Sequence, residues 1–184
     1  MKSKVTDKFV LIGIPNCGKS TIGKRAAEKL QIPFYDTDQL AYERLNLDNP
    51  AELFLYRNLM RVMEEHRKLE AELVELKGPA IIEVYPESVL TQLDTKVMKK
   101  LGTIIHVKRD LKTMLEEAKK KKRRLVLQNM TTGQEINMQA ETIRLYAEEF
   151  QHFEKLADLS LDNNGTEDEA VEKLVGMIRN YRKT

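Results

Sequence analysis

Eight consecutive residues in this 184-residue chain have the types and spacing to hold a polyphosphate: Gly13-Ile14-Pro15-Asn16-Cys17-Gly18-Lys19-Ser20. They satisfy G-x-x-x-x-G-K-[ST] at every constrained position. The glycines let the backbone turn back so that successive N–H groups point into one concavity, an anion nest. A helix beginning at Lys19 adds the partial positive charge of its N-terminus. Lys19 is a mobile cation for β- and γ-phosphates, the Ser20 hydroxyl is a ligand for Mg²⁺, and Thr21 is placed for the α-phosphate. Gly13, Asn16, Cys17, Gly18, Lys19, Ser20 and Thr21 are therefore the expected nucleotide contacts. Cys17 lies at the same helix start beside Lys19, surroundings that lower a thiol pKa. One reading is an alkylation site that nucleotide protects; the other is a variable loop position without a role. Two carboxylates follow at Asp36 and Asp38. Alternate residues leaving a strand end project toward one crevice, where phosphoryl transfer needs a metal ligand and a group that orients the nucleophile. The competing reading makes them a turn residue and an N-cap, respectively, for a helix from about Gln39.

Short apolar runs alternate with longer helical stretches and must position these groups. FVLI at 9–12, PFYD at 33–36, AIIEV at 80–84 and TIIHV at 103–107 read as strands, with a weak fifth at 159–161. Helical segments fall at about 19–30, 38–46, 51–77, 87–101, 110–121, 137–156 and 166–182, and Gly78-Pro79 closes the long one. Apolar strands alternating with helices imply a parallel sheet covered on both faces. Right-handed crossovers then gather the strand C-termini on the edge where ligands bind. With no internal repeat or Gly/Ser linker, 1–184 reads as one three-layer α/β/α domain with a central five-stranded parallel sheet.

The stretch GIPNCGKSTIGKRAAEKLQIPFYDTD, residues 13–38, resembles the shikimate kinases. Ser20-Thr21-Ile22-Gly23 followed by Asp36-Thr37-Asp38 narrows the match beyond the phosphate-binding loop alone. The resemblance implies ATP as donor, Mg²⁺ held by Ser20 and Asp36, and Asp38 as the base on the acceptor hydroxyl. The family's F-R-x-x-E helix element, with its Arg on the acceptor, maps to Arg61 and Glu64, with Arg67 and Glu70 as the competing pair. The lid element R-P-L-L maps to 124–127, so that Arg124 reaches the nucleotide phosphates from a lid at about 119–136. An arriving cation of that kind stabilises charge on the transferred group.

The chain departs from the family at the acceptor side. Where the family has Gly-Gly-Gly after the third strand, the chain reads Glu83-Val84-Tyr85-Pro86-Glu87, and Pro86 has no N–H to donate. The Arg and Tyr of the family's R-x-P-x-Y turn fall on Glu149 and Phe153, with Arg144 five residues off. A glutamate in place of an anion-binding arginine repels what the arginine attracts. The resemblance therefore implies an ATP- and Mg²⁺-dependent kinase for shikimate or another small hydroxylated acceptor. A gluconate- or nucleoside-monophosphate-type kinase is the alternative, since Pro15 also occurs in those loops. A non-catalytic nucleotide-binding module that docks a protein partner is the third reading.

Composition bounds the rest. One cysteine excludes an internal disulfide framework, no apolar run approaches the ~20 residues that span a bilayer, and 13–15 cut short the N-terminal apolar run. A cytoplasmic, monomeric enzyme without membrane or nucleic-acid partners is the expectation. The net charge of +2 conceals a split. Residues 1–29 hold seven cations against two carboxylates, and 108–124 hold nine against three. Both intervening and C-terminal stretches are net acidic. The basic blocks coincide with the loop helix and the lid segment, a pattern suited to a bound nucleotide. The run 119–124 lacks interleaved aromatics, so it has no stacking platform for single strands.

Overall fold

Burial decides which runs become strands. β1 (Lys8–Ile12), β3 (Ala80–Glu83) and β4 (Thr103–Lys108) are buried along nearly their whole length, as central strands covered on both faces must be. The computed structural model describes residues 7–47, 56–84, 92–120, 126–128 and 135–181. With β2 (Phe34–Asp36) and β7 (Leu159–Asp162) these strands form one sheet in the order β2-β3-β1-β4-β7, parallel at every pairing. The fold is the α/β architecture expected from the alternation of elements.

Helix α1 (Lys19–Leu30) follows β1, and α7 (Glu167–Asn180) packs beside it. Phe9 and Leu11, two apart on β1, face this layer. Phe9 meets the ring of Tyr181 edge-on at 5.5 Å. A Cβ on Gly23 would lie 2.7 Å from both Leu11 Cδ1 and a Phe34 ring carbon. Only glycine allows α1 to approach the sheet this closely. The helices α3 (Tyr56–Glu75) and α4 (Gln92–Leu101) pack together, and α4 lies on β1 and β4. Lys8 ties β1 to α3, its Nζ donating to the carbonyls of Leu73, Val74 and Leu76 at 2.7, 2.8 and 3.2 Å. Those are orphan acceptors of a helix C-terminus, satisfied here by a side chain.

Two details differ from the sequence expectation. First, α2 (Thr37–Arg44) starts directly after β2, and its N-cap is Asp36, whose Oδ1 accepts from the Gln39 N–H at 3.1 Å. The capping role falls on Asp36, and Asp38 stands in the first turn. Second, after α5 (Leu111–Lys120), β5 (Val126–Gln128) pairs antiparallel with β6 (Glu135–Asn137), a small separate ribbon. As expected for 137–156, α6 (Met138–Leu156) is one helix and runs without interruption through 149–153. Phe153 is buried there against His106 rather than standing in a turn.

Candidate active site

The C-terminal ends of β1, β2 and β3 converge on the start of α1, so the loop 13–20 and both aspartates share one sheet edge. The backbone of the loop takes the form its glycines allow. Gly18 caps α1 at φ 98°, and Asn16 is left-handed at φ 69°, a conformation asparagine tolerates. A Cβ on Gly18 would lie 2.5 Å from Asn163 Nδ2. That amide donates to the Cys17 carbonyl at 2.7 Å, and its own backbone N–H donates to Lys108 O at 2.8 Å. Asn163, just past β7, thus pins the loop to the far side of the sheet. Beside it, Arg109 Nη1 would lie 4.0 Å from the same Cβ, and Arg109 Nε is buried without a hydrogen-bond partner. Sequence reasoning passed over both residues. The only available signal was their position at strand C-termini, the edge where ligands bind.

Lys19 is folded into the loop. It is 6% exposed, and its Nζ donates to Gly13 O at 2.8 Å, with Glu83 Oε1 at 3.9 Å. Burial opposes its charge, but Cys17, Glu83, Asp38 and Asp36 together outweigh burial and hold the ammonium above the ordinary lysine range. Of the two readings of Cys17, its burial opposes the reactive-thiol one. It is 1% exposed, and burial pushes its pKa up against the opposing pull of Lys19.

Ser20 Oγ donates to Glu83 Oε1 at 3.0 Å. Glu83 closes β3 in register with Asp36 on β2. Burial raises the Glu83 pKa, Asp36 raises it further, and Lys19 and the Ser20 hydroxyl draw it back. Its second oxygen, Oε2, is buried with no hydrogen-bond partner. An acceptor left in that state costs about 1–3 kcal/mol. Ser20, Asp36 and Glu83 offer hard oxygens, the donor type a Mg²⁺ ion takes, and the orphaned Oε2 suits a donor such as a water on that ion. The set fits the metal. Among the described residues no group of three or more His, Cys, Asp and Glu side chains forms an all-protein metal cage.

At Asp38 the described neighbour is a histidine. His66 Nε2 on α3 lies 3.5 Å from Asp38 Oδ1, and burial lowers the His66 pKa to about 4. Arg61 and Arg67, the two residues proposed for the acceptor, have exposed side chains, as does Glu64, which pairs with Lys68. Glu70 is buried. Arg144 is exposed on α6 and pairs with Glu148. Thr21 is exposed at the start of α1. Val84, within the stretch 83–87 that stands where the family has its glycines, is buried. Arg124, Tyr85, Pro86 and Glu87 lie outside the described residues.

The family model described as shikimate kinase matches residues 15–179. The chain belongs to the shikimate kinase family. It is 32% identical over 159 residues to the shikimate kinase of Clostridium beijerinckii, which covers 86% of each chain. The fold superposes on the structure of shikimate kinase from Acinetobacter baumannii in complex with shikimate with a TM-score of 0.77. That match has 18% identity and covers 98% of this chain and 97% of the other. A gluconokinase from Sinorhizobium meliloti aligns at a TM-score of 0.58 and 14% identity, covering 96% and 93%. As a shikimate kinase family member, the chain is an ATP-dependent phosphotransferase acting on a small-molecule hydroxyl. Family membership also fits the tight helix–sheet contact at Gly23, the last constrained position of the resembling motif.

Proposed function

We propose that this protein phosphorylates a hydroxyl of shikimate, using ATP and Mg²⁺, as a monomeric cytoplasmic enzyme of one domain with a lid at about 119–136. The observation that carries this reading is the convergence of Lys19, Ser20, Asp36 and Asp38 on one sheet edge. Lys19 binds the β- and γ-phosphates by leaving its internal contact with Gly13 O. The loop N–H groups and the α1 N-terminus hold the remaining charge, and Asn163 keeps the loop in shape for them. Ser20 and Asp36 hold the metal, which when bound neutralises charge on the phosphate oxygens. Asp36 is fixed for that by its capping bond. Asp38 accepts the acceptor's hydroxyl proton, or orients that hydroxyl in line with the γ-phosphate. The neutral His66 beside it limits the orientations Asp38 takes. Arg109, and Arg124 from the lid, add positive charge on the nucleotide side.

A second reading, in which the acceptor is a different hydroxylated molecule, is favoured by one observation. The side chain beside Asp38 is His66, whereas the arginines expected to grip an acceptor carboxylate are exposed. ADP release measured with ATP and Mg²⁺ across shikimate, gluconate and nucleoside monophosphates separates the two. Shikimate-dependent turnover supports the first. Turnover with gluconate or a mononucleotide but not shikimate supports the second, and ATP binding without stimulation by any acceptor removes both.

A further inference from the structure

We propose that Glu83 is a second carboxylate of the metal site, one that the family resemblance does not supply. The resemblance assigns the metal to Ser20 and Asp36 alone. The structure adds a buried glutamate already bonded to one of them: Ser20 Oγ donates to Glu83 Oε1 at 3.0 Å. Glu83 and Asp36 are register partners on adjacent parallel strands. Strands so paired lie about 4.8 Å apart and point partnered side chains to the same face. Ser20, Glu83 and Asp36 thus form a short row of hard oxygens at the sheet edge, beside the Lys19 ammonium, which lies 3.9 Å from Glu83 Oε1.

Glu83 is only 9% exposed, and its Oε2 has no hydrogen-bond partner. An ionised carboxylate accepts only, so this atom is open to a donor that a ligand brings. A water on the ion is such a donor, because a bound cation polarises its water's O–H groups. Magnesium keeps several of its waters in sites of this kind. Glu83 then acts in two ways. Oε1 keeps the Ser20 hydroxyl proton, leaving that oxygen's lone pairs free for the ion, while Oε2 receives a metal-bound water. This is a positioning role directed at the metal, and outer-sphere partners of this type typically contribute about 10- to 100-fold to metal affinity.

The alternative role for Glu83 is purely structural: it holds Lys19 and Ser20 in place whether or not a metal is present. The two roles differ in sign. If Glu83 serves the metal, removing its charge weakens metal binding to the nucleotide complex. The same change leaves nucleotide binding in EDTA equal or tighter, because a negative charge next to the phosphates is gone.

The inference rests on the phosphotransferase reading above, and the test separates their failures. Mn²⁺ affinity for the complex of the full chain with ADP is measured from the electron paramagnetic resonance signal of free Mn²⁺. ADP affinity in EDTA is measured by calorimetry. Expected for Glu83→Gln is a 10- to 100-fold loss of Mn²⁺ affinity, with ADP affinity in EDTA unchanged or increased. Glu83→Asp, which keeps the charge on a shorter stem, should recover part of the loss. Mn²⁺ affinity within twofold of the wild type in Glu83→Gln overturns the proposal. So does an equal loss of ADP affinity with and without metal. If Glu83→Gln fails to fold, Glu83→Asp decides alone: wild-type Mn²⁺ affinity overturns the proposal, and a several-fold loss confined to the metal-bound state supports it. A wild-type chain that binds ADP but no Mn²⁺ overturns the metal-dependent reading itself, and this inference with it.

Discussion

His106 on β4 is fully buried between the rings of Phe150 and Phe153, at centroid distances of 5.1 and 5.5 Å. Neither ring nitrogen has a hydrogen-bond partner. Burial, reinforced by Lys108 and Lys19 against the opposing Glu154, lowers its pKa from 6.5 to about 4. Between those values the unfolded chain carries a proton at this site that the folded chain does not. Stability contributed by the neutral imidazole is therefore complete above about pH 6.5 and is lost as pH falls toward 4. At 1.36 kcal/mol per pH unit the full displacement amounts to roughly 3 kcal/mol, of which about 2 kcal/mol is lost between pH 7 and pH 5. With a urea slope of about 2 kcal/mol/M, that loss moves the unfolding midpoint down by about 1 M. The assay is urea unfolding of the wild type and His106→Leu at both pH values. The wild type should lose about 2 kcal/mol more than the variant. His66, also buried with a pKa near 4, contributes to both proteins and cancels. Equal losses in the two proteins, within about 0.3 kcal/mol, would refute the reasoning.

Lys19→Met should lower kcat by about 10²-fold or more while leaving the far-ultraviolet circular dichroism unchanged, and wild-type turnover contradicts the site assignment. Asn163→Leu removes the donor from a buried Cys17 carbonyl, at a cost of about 1–3 kcal/mol. That should appear as a lower melting temperature and, by calorimetry, as ATP affinity reduced several-fold; unchanged values of both argue against a loop-pinning role. Cys17 should react with a thiol-specific chromogenic reagent only when denaturant is added, because the thiol is buried and its pKa raised. Prompt stoichiometric reaction in native buffer contradicts that placement.

The sheet was legible because its central strands are buried on both faces and therefore mostly apolar: FVLI in β1, AII in β3 and TIIHV in β4. The edge strand β7, LSLD, is half exposed and left only a weak trace. The three-residue strands of the β5–β6 ribbon left none, being too short for any period to register. At the site, the local elements could be read: the loop and the paired aspartates are contiguous motifs. What escaped depends on chain-distant contacts. Asn163 lies 146 positions from the carbonyl it holds, and only the strand order brings the two together. Glu83 read only as part of the stretch that replaces the family's glycines, whereas its side chain accepts from Ser20, 63 positions away. On α3 the sequence offered Arg61 or Arg67, whereas the side chain that meets Asp38 is His66, a matter of helical phase. Five residues separate Arg61 from His66, roughly 140° around the helix, so a sequence count could not say which faced Asp38. Cys17 shows a competition of magnitudes: helix start and Lys19 favour the thiolate, but burial outweighs both.

Phosphorus NMR of the full chain with ATP, Mg²⁺ and shikimate tests the central claim most directly. A phosphomonoester resonance should grow in step with ADP, and should be absent when shikimate is omitted or Lys19→Met replaces the wild type. ADP accompanied only by inorganic phosphate, or no consumption of ATP at all, would contradict phosphoryl transfer to the shikimate hydroxyl at this site.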